Sequence, residues 1–138
     1  YIAVVEGIID KSGTIKSYLT ENKEHFVYSS KEGKLAITDY KLLKNNKKFS
    51  MLEVNIKTGR KNQIRVHMSD INHPIIGDDK YGSKIDPINR LALHSNEIVF
   101  KHPITNKEIK IVSLIPTLFT NLLSSTLCPA LYLLFLCP

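Results

Sequence analysis

The chain has 138 residues, with 19 lysines and arginines against 13 aspartates and glutamates and a formal net charge of +6. This length fits one domain with a real hydrophobic core and excludes a core of large-enzyme size. The basic balance permits a polyanionic partner without requiring one. The two cysteines, Cys128 and Cys137, have the spacing of neither a zinc site nor a disulfide framework, which favours a reducing cytoplasm.

The amino-terminal half predicts strands joined by tight turns. In chain order these strands are YIAVVEG, TIKSYL, KLAITDYKLL and SMLEVNIK. In the last of them Leu52, Val54 and Ile56 alternate with polar residues, which is typical of a half-buried antiparallel strand. Because the first strand begins at once with Tyr1, we expect the chain to be a fragment whose preceding part is missing.

After residue 59 the hydrophobic period changes from two to that of a helix. Ile64, His67, Met68 and Ile71 stand at i, i+3, i+4 and i+7, which predicts an α-helix of about three turns. The helix should end before Pro74, because a residue that precedes proline resists helical angles.

The remaining segments complete an α+β domain with a mostly antiparallel mixed sheet and few helices. HPIIGDDKYGS predicts a short strand and a turn in which Gly77, Asp78 and Gly82 are turn formers and Tyr81 packs. LALHSNEIVFKHP and KEIKIVSLIP predict two more strands, for a total of six or seven. LFTNLLSS predicts a final amphipathic helix.

The chain divides into a folded part, residues 1–117, and an apolar tail, residues 118–138. The uninterrupted apolar run at 130–137 is far shorter than the roughly 20 residues that a membrane span needs. We expect this tail to pack on the core or to be a poorly specified terminus, with a membrane or partner anchor as the alternative.

Arg65 lies at the border of the apolar helical stripe. A guanidinium that turns from there into a cleft must find an anion. No carboxylate in the chain offers itself from the sequence pattern. We therefore expect the partner of Arg65 in the missing part of the protein or on a phosphate.

Three segments together carry a resemblance to a known family. TGRKNQIRVHMSDINHPIIGDDKYG is similar to the signature of the RluA-type pseudouridine synthases, GR-T/S-HQ-I/L-RVH followed by GHPI-x-GD-x-x-YG. YIAVVEG and RLALHSNEIVFKHPITNKEI resemble two further segments of that family, in the right order. The resemblance covers residues 1 to about 116. It implies conversion of uridine in RNA to pseudouridine on a flipped-out nucleotide, with no cofactor and no metal.

The resemblance also implies catalytic roles for two residues. Arg65 matches the arginine that pairs with the catalytic aspartate, and Tyr1 matches the tyrosine that stacks on the target base. Without the resemblance, Tyr1 is simply a core aromatic residue. The family's aspartate lies in a motif like HRLDRDTSG, and nothing in these 138 residues resembles it. We therefore expect the chain to be inactive alone.

Five residues around the helix start are predicted to contact RNA at the rim of the pocket: Arg60, Lys61, Asn62, Gln63 and His67. For the two cations the alternative is a packed stem with its charged end in water. Gln63 has the alternative of capping backbone groups, and His67 that of a hydrogen-bonded core histidine. Asn62 stands where the family has histidine, which leaves the role of that position open.

The sequence thus predicts part of an RNA pseudouridine synthase that acts on ribosomal or transfer RNA, as a cytoplasmic monomer without metal, cofactor or membrane. A non-enzymatic RNA-binding module derived from the same fold is the alternative, and a purely structural domain is a third. The sequence does not specify which RNA or which uridine is the substrate.

Overall fold

The computed structural model describes residues 1–124 and is built around a six-stranded antiparallel sheet. The sheet has the order β3-β2-β4-β5-β1-β6, and a separate two-stranded sheet pairs β7 with β8. The strands are β1 Ile2–Glu6, β2 Gly13–Glu21, β3 Val27–Ser30, β4 Lys34–Asn45, β5 Phe49–Ile56, β6 Leu93–His94, β7 Glu97–Lys101 and β8 Glu108–Val112. The helices are α1 Gln63–Asp70 and α2 Thr117–Leu123, with a 3-10 turn at Asp79–Tyr81. The predicted α+β class is confirmed.

The centre of the sheet is buried on both faces. All four residues from Ile2 to Val5 of β1 are at most 2% exposed, although neighbours along a strand point to opposite faces. In β5, Leu52 and Val54 are buried while Glu53 and Asn55 are exposed. This alternation confirms the predicted half-buried strand, and its antiparallel pairing with β1 places both strands in the core.

Helix α1 packs on one face of the sheet through two apolar surfaces. Ile64 and Met68 belong to the main core, and Val66 belongs to a second cluster with Leu19 and Tyr81. The helix is shorter than predicted. It starts at Gln63 because Asn62 has a left-handed backbone, with φ of 53°, that interrupts helical geometry.

Helix α2 confirms the predicted final helix. Its Phe119 and Leu123 are 0% and 1% exposed and lie in the same core as β1 and β5. The first residues of the predicted tail therefore pack on the core, while the apolar run at 130–137 lies outside the described residues. Within residues 1–124, no helix is long and apolar enough to cross a membrane.

The described residues form eight strands, against six or seven predicted, because LALHSNEIVFKHP forms two strands, β6 and β7, in different sheets. Two further elements differ from the prediction. Strand β3 was not expected, because VYSS gives no alternation of its own; it forms by pairing with β2. The apolar run before the GDDKYG turn is not a regular strand. It makes one isolated bridge, between Val5 and Ile75, beside the outer edge of β1.

Candidate active site

A cleft of about 200 Å³ opens beside the start of β1, the end of β5 and the amino-terminal end of α1. It brings together five predicted site residues and three apolar ones: Tyr1, Arg60, Asn62, Gln63, Arg65, Ile56, Ile64 and Leu93. Larger clefts lie near Lys48 and Phe49, but none of the predicted site residues lines them.

The sheet itself positions Tyr1. Its amino nitrogen donates a 2.8 Å hydrogen bond to the carbonyl of Val54, and its carbonyl accepts one of 2.8 Å from the Val54 N–H. These bonds extend the β1–β5 pairing by one residue. Tyr1 keeps 37% of its surface exposed, so an aromatic ring on a fixed backbone remains available at the cleft.

Arg65 forms a bidentate salt bridge with Asp78, a carboxylate partner within the chain that the sequence pattern did not indicate. Its Nε donates to Oδ2 at 2.8 Å and its Nη2 donates to Oδ1 at 2.7 Å. The side chain of Asp78 is fully buried, and that of Arg65 is 24% exposed. The hydrogen-bonded carboxylate raises the pKa of the Arg65 guanidinium above its ordinary value, so the guanidinium stays charged within the ion pair.

The backbone of the GDDKYG turn places Asp78 where it meets Arg65. Gly77 has a φ of +79°, a conformation that glycine adopts without strain. The carbonyl of Asp78 then accepts hydrogen bonds from the N–H groups of Tyr81 and Ser83, at 3.2 and 2.9 Å. Asp78 is thus a turn former, as predicted, but it also supplies the carboxylate that pairs with Arg65.

Tyr81 supports the other side of Arg65. The guanidinium carbon of Arg65 lies 4.9 Å from the centre of the Tyr81 ring, within cation–π range. A second aromatic ring, that of Phe26, stacks on Tyr81 with 4.9 Å between ring centres. The Tyr81 hydroxyl accepts 3.3 Å hydrogen bonds from Val27 N–H and Asn62 Nδ2, so the ring is fixed at its edge as well.

Gln63 does not offer a free polar group to RNA, contrary to the prediction. It is 3% exposed, and its Nε2 donates to the Ile37 carbonyl at 3.0 Å and to Thr38 Oγ1 at 2.9 Å. Its Oε1 accepts from the Thr58 hydroxyl and from the Arg60 N–H. The amide therefore ties the helix start to β4, which is the alternative given for this residue.

His67 is also internal, and the predicted RNA contact is corrected for the same reason. It is 0% exposed, with Nδ1 at 2.8 Å from Thr38 Oγ1 and Nε2 at 2.9 Å from Ser17 Oγ. Burial lowers the pKa of the imidazole below 6.5, against a smaller opposing effect of Asp70. The side chain is a neutral core histidine that joins α1 to β2 and β4.

The exposed cations lie on the adjoining surface. Arg60 donates from Nε to the Leu35 carbonyl at 3.0 Å, and Lys61 pairs with the Glu21 carboxylate. Both line a second cleft of about 380 Å³, which also includes Lys34. Arg60 lines both clefts, so the second cleft adjoins the cleft of Tyr1 and Arg65 at this side chain.

Asn62 has a structural reason to stand at this position. Asparagine is one of the few residues enriched in the left-handed conformation found here. Its side chain lies between Tyr81 and Arg65, with Oδ1 3.4 Å from Nη1 of the arginine.

The chemistry that this cleft offers is an aromatic face and a fixed guanidinium. Among the residues that line it, within the described part of the chain, there is no carboxylate. Residues 1–124 also contain no group of three or more His, Cys, Asp or Glu side chains that could hold a metal ion.

Comparison with known proteins identifies the family. The family model described as RNA pseudouridylate synthase matches residues 1–70, just over half of the chain. The chain belongs to the RNA pseudouridylate synthase family. This confirms the resemblance of the motif segments.

Curated relatives support the same assignment. The chain is 41% identical over 129 residues to the ribosomal large subunit pseudouridine synthase C of Rickettsia prowazekii, covering 88% of this chain and 43% of that protein. It is 37% identical over 127 residues to the uncharacterized RNA pseudouridine synthase YhcT of Bacillus subtilis, covering 88% of this chain and 42% of that one. The chain thus spans less than half the length of these relatives.

A solved structure confirms the fold. The human RNA pseudouridylate synthase domain containing 1 superimposes with a TM-score of 0.75 over 99% of this chain and 65% of that one. The two are 22% identical in sequence.

Proposed function

We propose that this chain forms one wall of the catalytic cleft of an enzyme that isomerises uridine to pseudouridine in ribosomal RNA. Transfer RNA is the second candidate substrate. The relatives from Rickettsia prowazekii and Haemophilus influenzae are named for the large ribosomal subunit, which supports the first choice. We further propose that the protein acts in the cytoplasm, as a monomer and without a cofactor.

The observation that carries this proposal is the meeting of Tyr1 and Arg65 in one cleft without a carboxylate among its described lining residues. Tyr1 would present its ring to the face of the flipped base, since base–aromatic stacking contributes about 1–3 kcal/mol. Arg65 would hold the catalytic aspartate ionised and oriented, since an opposite charge nearby favours the charged form of a carboxyl. That aspartate would come from outside these 138 residues.

The RNA strand that carries the target would lie across Arg60 and Lys61. Both are exposed beside the cleft, and cations that contact phosphates give affinity without sequence choice. Asn62, which lines the cleft of Tyr1 and Arg65, is the remaining polar contact. Gln63 and His67 are left out of the RNA surface because their polar atoms are bonded within the chain.

A segment exchange tests the proposal. The matching segment of the Rickettsia prowazekii synthase is replaced by this chain, and tritium release is measured from 5-tritiated uridine in the RNA that the unmodified synthase modifies. We expect the chimera to be active, this chain alone to be inactive, and Arg65→Lys in the chimera to lower kcat on the order of 10²-fold.

The alternative, a non-enzymatic RNA-binding module, makes the opposite prediction. A chimera with a cooperative unfolding transition that binds the RNA but releases no tritium would refute the enzymatic proposal. The unmodified synthase and the same synthase without the exchanged segment are the positive and negative controls.

A further inference from the structure

The hydrogen-bonding pattern of Arg65 leaves one edge of its guanidinium available. The group carries five N–H donors in a fixed plane. Nε and one hydrogen of Nη2 go to Asp78, and one hydrogen of Nη1 points to Asn62 Oδ1 at 3.4 Å. Within residues 1–124, the second hydrogens of Nη1 and Nη2 have no acceptor. Two donor hydrogens, one on Nη1 and one on Nη2, therefore remain for a second anion.

The bonded edge of the Arg65 guanidinium is held by Asp78, which is buried and lies on a hydrogen-bonded backbone. Its side chain is fully buried, and in the described part of the chain its two oxygens accept only from Arg65. The adjoining backbone is held by hydrogen bonds from Tyr81 and Ser83 and by the bond from Ile76 N–H to the Val4 carbonyl of β1. The sheet and the turn therefore fix the backbone that carries this carboxylate.

The flat face of the guanidinium is constrained independently. The guanidinium carbon lies over the Tyr81 ring, 4.9 Å from its centre, and the Phe26 ring stacks on Tyr81. Lys80 Nζ lies 5.8 Å from the centre of the Phe26 ring. With its edge on Asp78 and its face on Tyr81, the group can neither swing nor rotate without breaking contacts.

From this geometry we infer that Asp78 is a positioning residue for the isomerisation: it holds Arg65 so that the arginine bridges two carboxylates, Asp78 on one edge and the catalytic aspartate on the other. The inference rests on the proposed function and adds a residue to it. Asp78 acts through Arg65 and does not touch the nucleotide. Arg65 is then preorganised before the nucleophile or the RNA arrives.

The test compares Asp78→Asn with its matched control Asp79→Asn in the active chimera. Asp79 is the next residue, is exposed, and its carboxylate accepts only from the adjacent Lys80 N–H among the described residues. Asp78→Asn should lower kcat on the order of 10²-fold, because displacing a catalytic group by about 1 Å can slow the reaction by that factor. The KM and the Kd for RNA should stay within about twofold of the parental values. Asp79→Asn should match the parent.

A second measurement separates position from folding. In 15N NMR of this chain, the Arg65 Nε–H should exchange slowly in the parent and in Asp79→Asn and rapidly in Asp78→Asn. If Asp78→Asn does not fold, Asp78→Glu keeps the charge, moves the carboxylate by one methylene and should still lower kcat.

The outcomes distinguish a failure of the proposed function from a failure of the positioning role of Asp78. An inactive parental chimera overturns the proposed function and with it the reaction role of Asp78. An active parent in which Asp78→Asn or Asp78→Glu keeps the parental kcat overturns the role of Asp78 alone. A rapidly exchanging Arg65 Nε–H in the parent also overturns it, because the guanidinium would then not be held.

Discussion

Removing Arg65 should destabilise this chain far more than removing its buried partner. Arg65→Met leaves the fully buried carboxylate of Asp78 without its only described donors. An uncompensated buried charge of this kind costs about 3–5 kcal/mol in the free energy of unfolding. Asp78→Asn instead leaves a guanidinium that is 24% exposed and can turn to water, so we expect about 1–3 kcal/mol.

The double variant decides whether the two side chains act as a pair. Arg65→Met with Asp78→Asn should be more stable than Arg65→Met alone, because no buried charge remains. The interaction free energy from the double-mutant cycle should be about 1–3 kcal/mol. Urea unfolding at pH 7.5 measures the free energy of unfolding of the parent, the two single variants and the double variant.

A matched control uses the exposed pair of Lys61 with Glu21, whose side chains are 53% and 38% exposed. Lys61→Met should barely change the urea midpoint, since exposed ion pairs contribute little. If Arg65→Met shifts the midpoint no more than Lys61→Met, the reasoning about the buried pair is wrong. The stability effect also means that lost activity in an Arg65 variant supports a catalytic role only when the variant is shown to be folded.

Three further predictions concern the support of the cleft. Because burial lowers the pKa of His67 below 6.5 in the folded chain, the unfolded chain binds more protons at acidic pH. The free energy of unfolding should therefore fall as the pH drops from about 7 towards 5. In urea titrations, His67→Gln should make this dependence on pH less steep. Gln63→Leu should cost about 1–3 kcal/mol of unfolding free energy by leaving buried groups unbonded, with no loss of RNA affinity at temperatures where it is folded. Gly77→Ala should cost more than about 1 kcal/mol, because φ is +79° and the new Cβ would lie 2.3 Å from the Arg90 carbonyl oxygen; Gly59→Ala, which meets nothing within 4 Å, is the thermal-unfolding control.

The alternation of side chains made much of the sheet predictable. Leu52 and Val54 alternate with polar residues because Glu53 and Asn55, on the opposite face of this end of β5, are exposed, and that cause acts locally. Strand β3 has no such local cause. Val27 is buried, but the strand exists because β2 offers it a pairing edge, which the sequence of β3 does not record.

The contacts of the polar residues on α1 were harder to predict for a related reason. A helical stripe places His67 inside but does not reveal that Thr38 and Ser17 will meet its two ring nitrogens. Gln63 looked like a pocket residue because it is polar and next to Arg65. Only the folded chain shows that its amide has four described partners, two on β4 and two just before the helix.

The same limit hid the partner of Arg65, and one signal pointed towards it. Asp78 follows Arg65 by 13 residues, across a helix end and an irregular segment, so no helical or strand period connects them. Yet the RVH and GDDKYG stretches occur together in the motif, and the structure gives a physical reason for that pairing. One stretch supplies the guanidinium, and the other supplies the carboxylate at its edge and the tyrosine on its face. A substitution in either stretch therefore alters the same Arg65–Asp78–Tyr81 arrangement. For this reason we expect the effects of Asp78 and Arg65 substitutions on kcat to be strongly non-additive, as they are when two residues act as a unit.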